Sequence, residues 1–123
     1  MNEELQVIKV KLHEIDFISL YRSAGISYVE TLNSLMRMLD PSRPTLITGD
    51  FNVCLLKHPR NIITKTLVEL GYRQLIKEAT HVLGGHIDHA YWRDPEDEMG
   101  DPWIETYSPY YSDHDALLIT LQR

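Results

Sequence analysis

From Ile8 onward, the stretch 5–12 alternates apolar and polar residues, which predicts a strand with Lys9 and Lys11 on one face. Residues 15–21 form a second strand candidate, and Tyr21-Arg22-Ser23-Ala24-Gly25 leaves it as a loop. At Ser27 the period changes. Val29, Leu32, Leu35, Met36 and Leu39 recur at helical spacing, and Ser27 with Glu30 makes a capping box ahead of them. A helix over 27–40 is predicted, stopped by Pro41 and Pro44. A β-branched run then fills a strand at 45–49, and Asn61 caps a second helix over 61–70 that Gly71 closes. Further short strands are predicted at 74–76, 87–92, 103–107 and 116–121. Strands mixed with two helices predict an α/β or α+β protein with one mixed, mostly antiparallel sheet and both helices on one face.

At 123 residues the chain has the length of one domain, 1–123. No apolar run reaches the length of a bilayer span, and the first residues do not read as a signal peptide. Cys54 is the sole cysteine, which favours an intracellular setting, nucleus or cytoplasm, and excludes an intramolecular disulfide. The net charge of −6 argues against a nucleic-acid partner until its distribution is considered. Asp94, Glu96, Asp97, Glu98 and Asp101 crowd one stretch with no base, and the remainder carries only −1. A local basic patch is compatible with that balance.

Three polar clusters sit at apolar strand boundaries. In Thr48-Gly49-Asp50-Phe51-Asn52 the carboxylate and the carboxamide stand two positions apart at a strand end and so share a face. Asp50 can take a proton or hold a hard cation, and Asn52 can donate to a phosphate oxygen. The competing reading is an Asx turn in which both only bond nearby backbone. In Gly84-Gly85-His86-Ile87-Asp88-His89, Asp88 lies within a predicted strand, where an acid needs a partner. Ser112-Asp113-His114 stands immediately before the last strand. A buried Asp88 beside His114 would fix the imidazole tautomer and support its charged form. Asp50, Asn52 and Asp113 would then surround a divalent cation and a phosphate. A transition-metal site built from His86, Asp88, His89 and His114 is a further alternative.

In this order Tyr21-Arg22, Gly-Asp-Phe-Asn, Ile-Asp-His and Ser-Asp-His resemble the endonuclease/exonuclease/phosphatase superfamily, over about residues 5–123. The tract from Glu78-Ala79-Thr80-His81 to Gly85-His86-Ile87-Asp88-His89 is most similar to the endonuclease domains of mobile elements such as retrotransposons. The resemblance implies half of a four-layer α/β/β/α sandwich and hydrolysis of a phosphodiester, DNA above all, with magnesium or manganese. By position, Asp50 resembles the acid that orients or deprotonates the attacking water, and Asn52 the amide that holds the scissile phosphate. Asp88 resembles the acid that orients the catalytic His114. Asp113 resembles a metal-site acid that joins Asp50, and Tyr21 a phosphate-contacting tyrosine. Arg22 is expected to add a phosphate contact by its charge.

The departures from the family are equally specific. The family's first half, with its asparagine strand and its metal-binding glutamate, has no counterpart in these residues, and Ala24 stands where the nuclease branch often places an amide. Activity is therefore expected to be incomplete or weak. The alternative is a catalytically inactive remnant acting as a binding or dimerisation module. Ile8, Val10, Ile47, Ile87 and Leu118 are expected to form an apolar sheet face away from the helices, covered by a second copy of the chain or by a partner chain.

Overall fold

A computed structural model of the protein describes residues 3–55, 57–76, 88–97, 100, 102–107 and 116–120, with the backbone alone at 88, 103–107 and 116–120. The chain runs β1 (Leu5–Lys11), β2 (Asp16–Arg22), α1 (Tyr28–Met36), β3 (Thr45–Asp50), α2 (Ile62–Glu69), β4 (Arg73–Gln74), β5 (Asp88–Arg93), β6 (Trp103–Tyr107) and β7 (Ala116–Thr120). Five strands form one sheet in the order β1-β2-β3-β5-β4, and β6 and β7 pair separately. Only β2 and β3 run parallel within the five-stranded sheet. That parallel step needs a crossover, and α1 supplies it. The result is the expected α/β architecture of one mixed sheet with two helices.

Both helices start where their caps dictate. Ser27 accepts the Glu30 backbone N–H at 3.1 Å, and Asn61 Oδ1 accepts the Thr64 N–H at 2.9 Å. Helix α2 ends in a left-handed Gly71 (φ 95°), with Gly71 N–H bonded to Val68 O and Tyr72 N–H to Leu67 O. This paired closure satisfies the last carbonyls and turns the chain towards β4. Helix α1 stops at Met36, shorter than its apolar period suggests. Tighter bonds from Met38 N–H to Leu35 O and from Leu39 N–H to Met36 O end it, while Met38 and Leu39 still pack on the core.

Leu32 and Leu35 from α1 and Ile63 and Leu67 from α2 share one buried cluster with Ile18, Leu20, Ile47, Phe51 and Tyr91. Both helices therefore cover the same sheet face. Ile47 lies under them, opposite Ile18, and not on the far face as its place in the pattern suggested. Its neighbours Leu46 and Thr48 take the far face instead, because strand side chains alternate. There Leu46 lies across from a buried Trp92. The far face is uneven. Ile8 and Val10 remain 57% and 46% exposed on edge strand β1, whereas Leu46, Ala90 and Trp92 are buried. The expected apolar positions Ile87 and Leu118 lie outside the described side chains. At the end of the sheet where β2 begins, buried Asp16 takes Arg43 Nε at 2.7 Å and faces Lys9 Nζ at 3.4 Å. This cluster ties β1, β2 and the loop before β3 together, away from the polar clusters. Among the described residues no helix is long and apolar enough to cross a membrane.

Candidate active site

The sheet register assembles the first part of the site. Tyr21 on β2 is the backbone partner of Asp50 on β3, and Asp50 is in turn the partner of Asp88 on β5. Three residues singled out in the sequence, 67 positions apart in the chain at their extremes, thus share one row at one end of the sheet. Tyr21 and Asp50 stand on the face away from the helices, since Leu20 and Ile47, at the alternate positions of their strands, belong to the cluster under the helices. Tyr21 is exposed and Asp50 half-buried, so this end of the row meets solvent.

The loop beyond β3 is held from two sides. On one side Arg22, almost wholly buried, donates from Nε to Phe51 O at 2.7 Å and from Nη2 to Asn52 O at 3.1 Å. Its Nη1 turns to the carbonyls of Ser23, Ala24 and Ile26, and its guanidinium lies 4.7 Å above the Tyr28 ring. Burial lowers the Arg22 pKa, and the nearby Tyr28 and Asp50 oppose that shift. A guanidinium keeps its charge through such a shift. The cation therefore sits behind the loop as a clamp between two turns. The structure places it there, on carbonyls, and not facing outward towards a phosphate.

On the other side stands His89. Its ring stacks on Phe51 at 4.6 Å and 6° between planes. Its Nε2 lies 2.8 Å from Val53 O and its Nδ1 2.9 Å from Tyr91 Oη. Tyr91 Oη is 2.7 Å from Thr64 Oγ1, which accepts from Asn61 Nδ2 at 2.9 Å. Burial raises the Tyr91 pKa well beyond its ordinary value, so the phenol stays protonated. Both ring nitrogens of His89 are thus engaged within the protein, while His86, His114 and the Asp88 side chain of the transition-metal alternative lie outside the described residues. Strand alternation was the available signal for this arrangement: His89 and Tyr91 are two apart and must share the helix side. What each would touch was not readable.

Asp50 and Asn52 realise part of the turn reading. Asp50 Oδ1 accepts the Asn52 backbone N–H at 2.9 Å, an Asx turn, and Asn52 takes a left-handed φ of 54°, which asparagine tolerates. One hydrogen of Asn52 Nδ2 goes to Arg22 O at 3.0 Å. A carboxamide has two such hydrogens, and among the described residues the second has no partner. Turn and ligand roles are thus compatible in one loop. Cys54, just beyond, is half-buried, less enclosed than a core cysteine.

Asp113, His114 and the mobile-element tract 78–87 lie outside the described residues, as does the Asp88 side chain. Asp50 is a hard oxygen donor, of the kind that suits magnesium or manganese better than a thiophilic ion. Among the described residues no three His, Cys, Asp or Glu side chains gather to hold a metal.

A family model described as "Endonuclease/Exonuclease/phosphatase family" matches residues 14–114. No curated protein and no solved structure matches the chain. The matched span is most of the chain and contains Tyr21, Asp50, Asn52, Asp88, Asp113 and His114. The chain belongs to this family, whose members hydrolyse phosphate esters and generally depend on a divalent metal.

Proposed function

We propose that this chain, as a member of that family, carries the phosphate-handling part of a DNA endonuclease domain. The observation that carries the reading is the Tyr21–Asp50–Asp88 row with the remaining Asn52 N–H beside it. In this reading Asn52 Nδ2–H donates to a non-bridging oxygen of the scissile phosphate, and the Tyr21 hydroxyl donates to another. Asp50 orients the attacking water and takes its proton, while Asp88 fixes the tautomer of His114. Asp50 and Asp113 would hold the cation, which when bound neutralises phosphate charge and makes water more acidic. Arg22 acts indirectly, by holding the loop and therefore Asn52 in place. Lys57, His58, Arg60 and Lys65 support a nucleic-acid partner. All four are exposed, and no acid interrupts the chain between Asp50 and Glu69. A basic surface directly after the loop suits a polyanion even in a chain of net negative charge.

The glutamate motif of the family's first half is found nowhere in these residues, so turnover by the isolated chain is expected to be slow. A plasmid-nicking assay with magnesium, and in parallel with manganese, tests the proposal. Asp50→Asn should lower the rate at least about a hundredfold, the scale for losing one electrostatic group at a phosphate-type transition state. Its stability should fall by less than about 1 kcal/mol, because the new amide oxygen still accepts the Asn52 N–H. Equal rates for the variant and the parent protein would refute the assignment of Asp50.

The second reading, an inactive remnant that serves in binding or assembly, has its own observation. Ile8 and Val10 form an exposed apolar row on the face away from the helices, on a strand at the sheet edge. We take a second copy of the chain as the occupant, packed sheet on sheet. Light scattering at micromolar concentration should give twice the monomer mass, and Val10→Lys should return the monomer. A monomeric parent protein at that concentration would refute the dimer.

A further inference from the structure

The proposed hydrolysis makes no use of the buried chain from Asn61 to His89, yet that chain ends on the catalytic loop. Its hydrogen-bond directions follow from chemistry alone. A carbonyl oxygen only accepts, so the contact to Val53 O requires a hydrogen on His89 Nε2. Asn61 Nδ2 only donates, and it donates both to His58 O and to Thr64 Oγ1. The Asn61 oxygen is meanwhile occupied by the Thr64 N–H, which fixes the amide's orientation.

The Thr64 hydroxyl then points its hydrogen at Tyr91, and the Tyr91 hydroxyl points its own at His89 Nδ1. The alternative is a cationic imidazole donating from both nitrogens. It would turn the Tyr91 hydrogen towards Thr64 and leave the Thr64 hydroxyl hydrogen with no acceptor along the chain. Inside a buried site that unmet donor is costly. One proton arrangement therefore satisfies every member, and it has a neutral imidazole.

We propose that His89 is a positioning residue for the Gly-Asp-Phe-Asn loop. The Asn61–Thr64–Tyr91 chain holds it as the Nε2–H tautomer, so that its N–H grips Val53 O while its ring stacks on Phe51. Those two contacts lie on either side of Asn52, the residue whose free N–H matters in the proposed chemistry. His89 thus sets Asn52 from β5, as Arg22 does from β2. The cap of α2 becomes the far anchor of the loop, which explains why a buried polar chain is kept inside an otherwise apolar cluster. The role in turnover rests on the proposed function; the tautomer and the loop geometry do not.

The test uses the ¹⁵N-labelled full chain at neutral pH, with Tyr91→Phe and Thr64→Val as variants. In the parent protein a long-range ¹H–¹⁵N correlation should show His89 Nε2 protonated and Nδ1 bare. Tyr91→Phe keeps the ring volume but removes the hydroxyl, so His89 should become a mixture of tautomers and the Asn52 and Val53 amide signals should shift. Thr64→Val should do the same to a smaller degree. Where nicking is measurable, Tyr91→Phe should lower kcat about tenfold with little change in KM, the scale of one lost hydrogen bond expressed at the transition state. A parent spectrum with Nδ1 protonated would overturn the proposal. So would unmoved Asn52 and Val53 amides in folded variants. A parent protein that nicks nothing would count against the endonuclease reading alone, since the spectra still decide the part played by His89.

Discussion

Gly49→Ala should leave the protein without its native fold. Gly49 has φ 151°, a backbone conformation that residues with a Cβ rarely adopt, so strain alone disfavours the change. Space disfavours it far more. A Cβ at this position would lie 1.8 Å from the Leu20 carbonyl oxygen and 2.7 Å from its carbon. These are backbone atoms of the paired strand, and no rotamer change can move them. Relief requires β2 and β3 to separate at the pair Leu20–Gly49, next to the pair Tyr21–Asp50. The expected loss exceeds about 3 kcal/mol, in the range reserved for strain and overpacking. That is a large part of the stability of a domain of this size. Urea denaturation followed by circular dichroism measures it. Gly100→Ala serves as the control, since among the described residues nothing lies within 4 Å of a Cβ there, and it should stay within about 0.5 kcal/mol of the parent. A Gly49→Ala protein as stable as this control would show that β2 and β3 do not approach as closely as described.

Arg22→Met should have the next largest effect, on stability and on the loop together. The guanidinium serves carbonyls of five residues in two separate turns: Ser23, Ala24, Ile26, Phe51 and Asn52. Methionine fills much of the volume and donates nothing. The carbonyls of Phe51 and Asn52 lose their charged donor, and hydrogen bonds to charged groups are worth about 1.5–3 kcal/mol each. Relaxation and water entry recover part of this, so a net loss of about 3 kcal/mol is expected in urea denaturation. Arg22→Lys should recover little. An ammonium is a compact charge that cannot span two turns with a planar fork of donors. The Asn52 amide should also lose its fixed orientation, because Arg22 and Asn52 bond reciprocally through Nη2 to Asn52 O and Asn52 Nδ2 to Arg22 O. A loss below about 1 kcal/mol would mean that the two turns are held by other contacts.

Local physics is why most of the fold was legible. The strands at 5–12, 15–21 and 45–49 were written in period-two alternation and β-branched runs, and the helix starts at Ser27 and Asn61 in their capping chemistry. Each depends on residues a few positions apart, so a linear reading can find them. Ile47 shows the limit of that reading. In the run Thr45-Leu46-Ile47-Thr48 both faces are apolar enough to be buried, so alternation fixes that Leu46 and Ile47 differ in side and not which side the helices take. Only the pairing of Ile47 with Ile18, under α1 and α2, resolves it.

The candidate site divides along the same line. Residue types and their order by themselves marked Tyr21, Asp50, Asn52 and Asp88 as chemistry at strand ends, and membership of the phosphoesterase family followed from the same motifs. The shared row of Tyr21, Asp50 and Asp88 was decided by sheet register, a property of which strands meet and in what direction. Arg22 and His89 were decided later still. A positive charge beside a loop tyrosine reads in sequence as a hand held out to a phosphate. The fold instead turns it inward, because two turns brought together across the sheet present carbonyls within reach of its planar fork of donors. His89 reads as a ligand beside an acid, yet alternation sends it to the helix side, where a carbonyl and a phenol take both nitrogens. Sequence names the groups that can do chemistry. Which of them face solvent and which hold the others in place depends on buried hydrogen-bond partners up to 36 residues away, and only the tertiary structure supplies those.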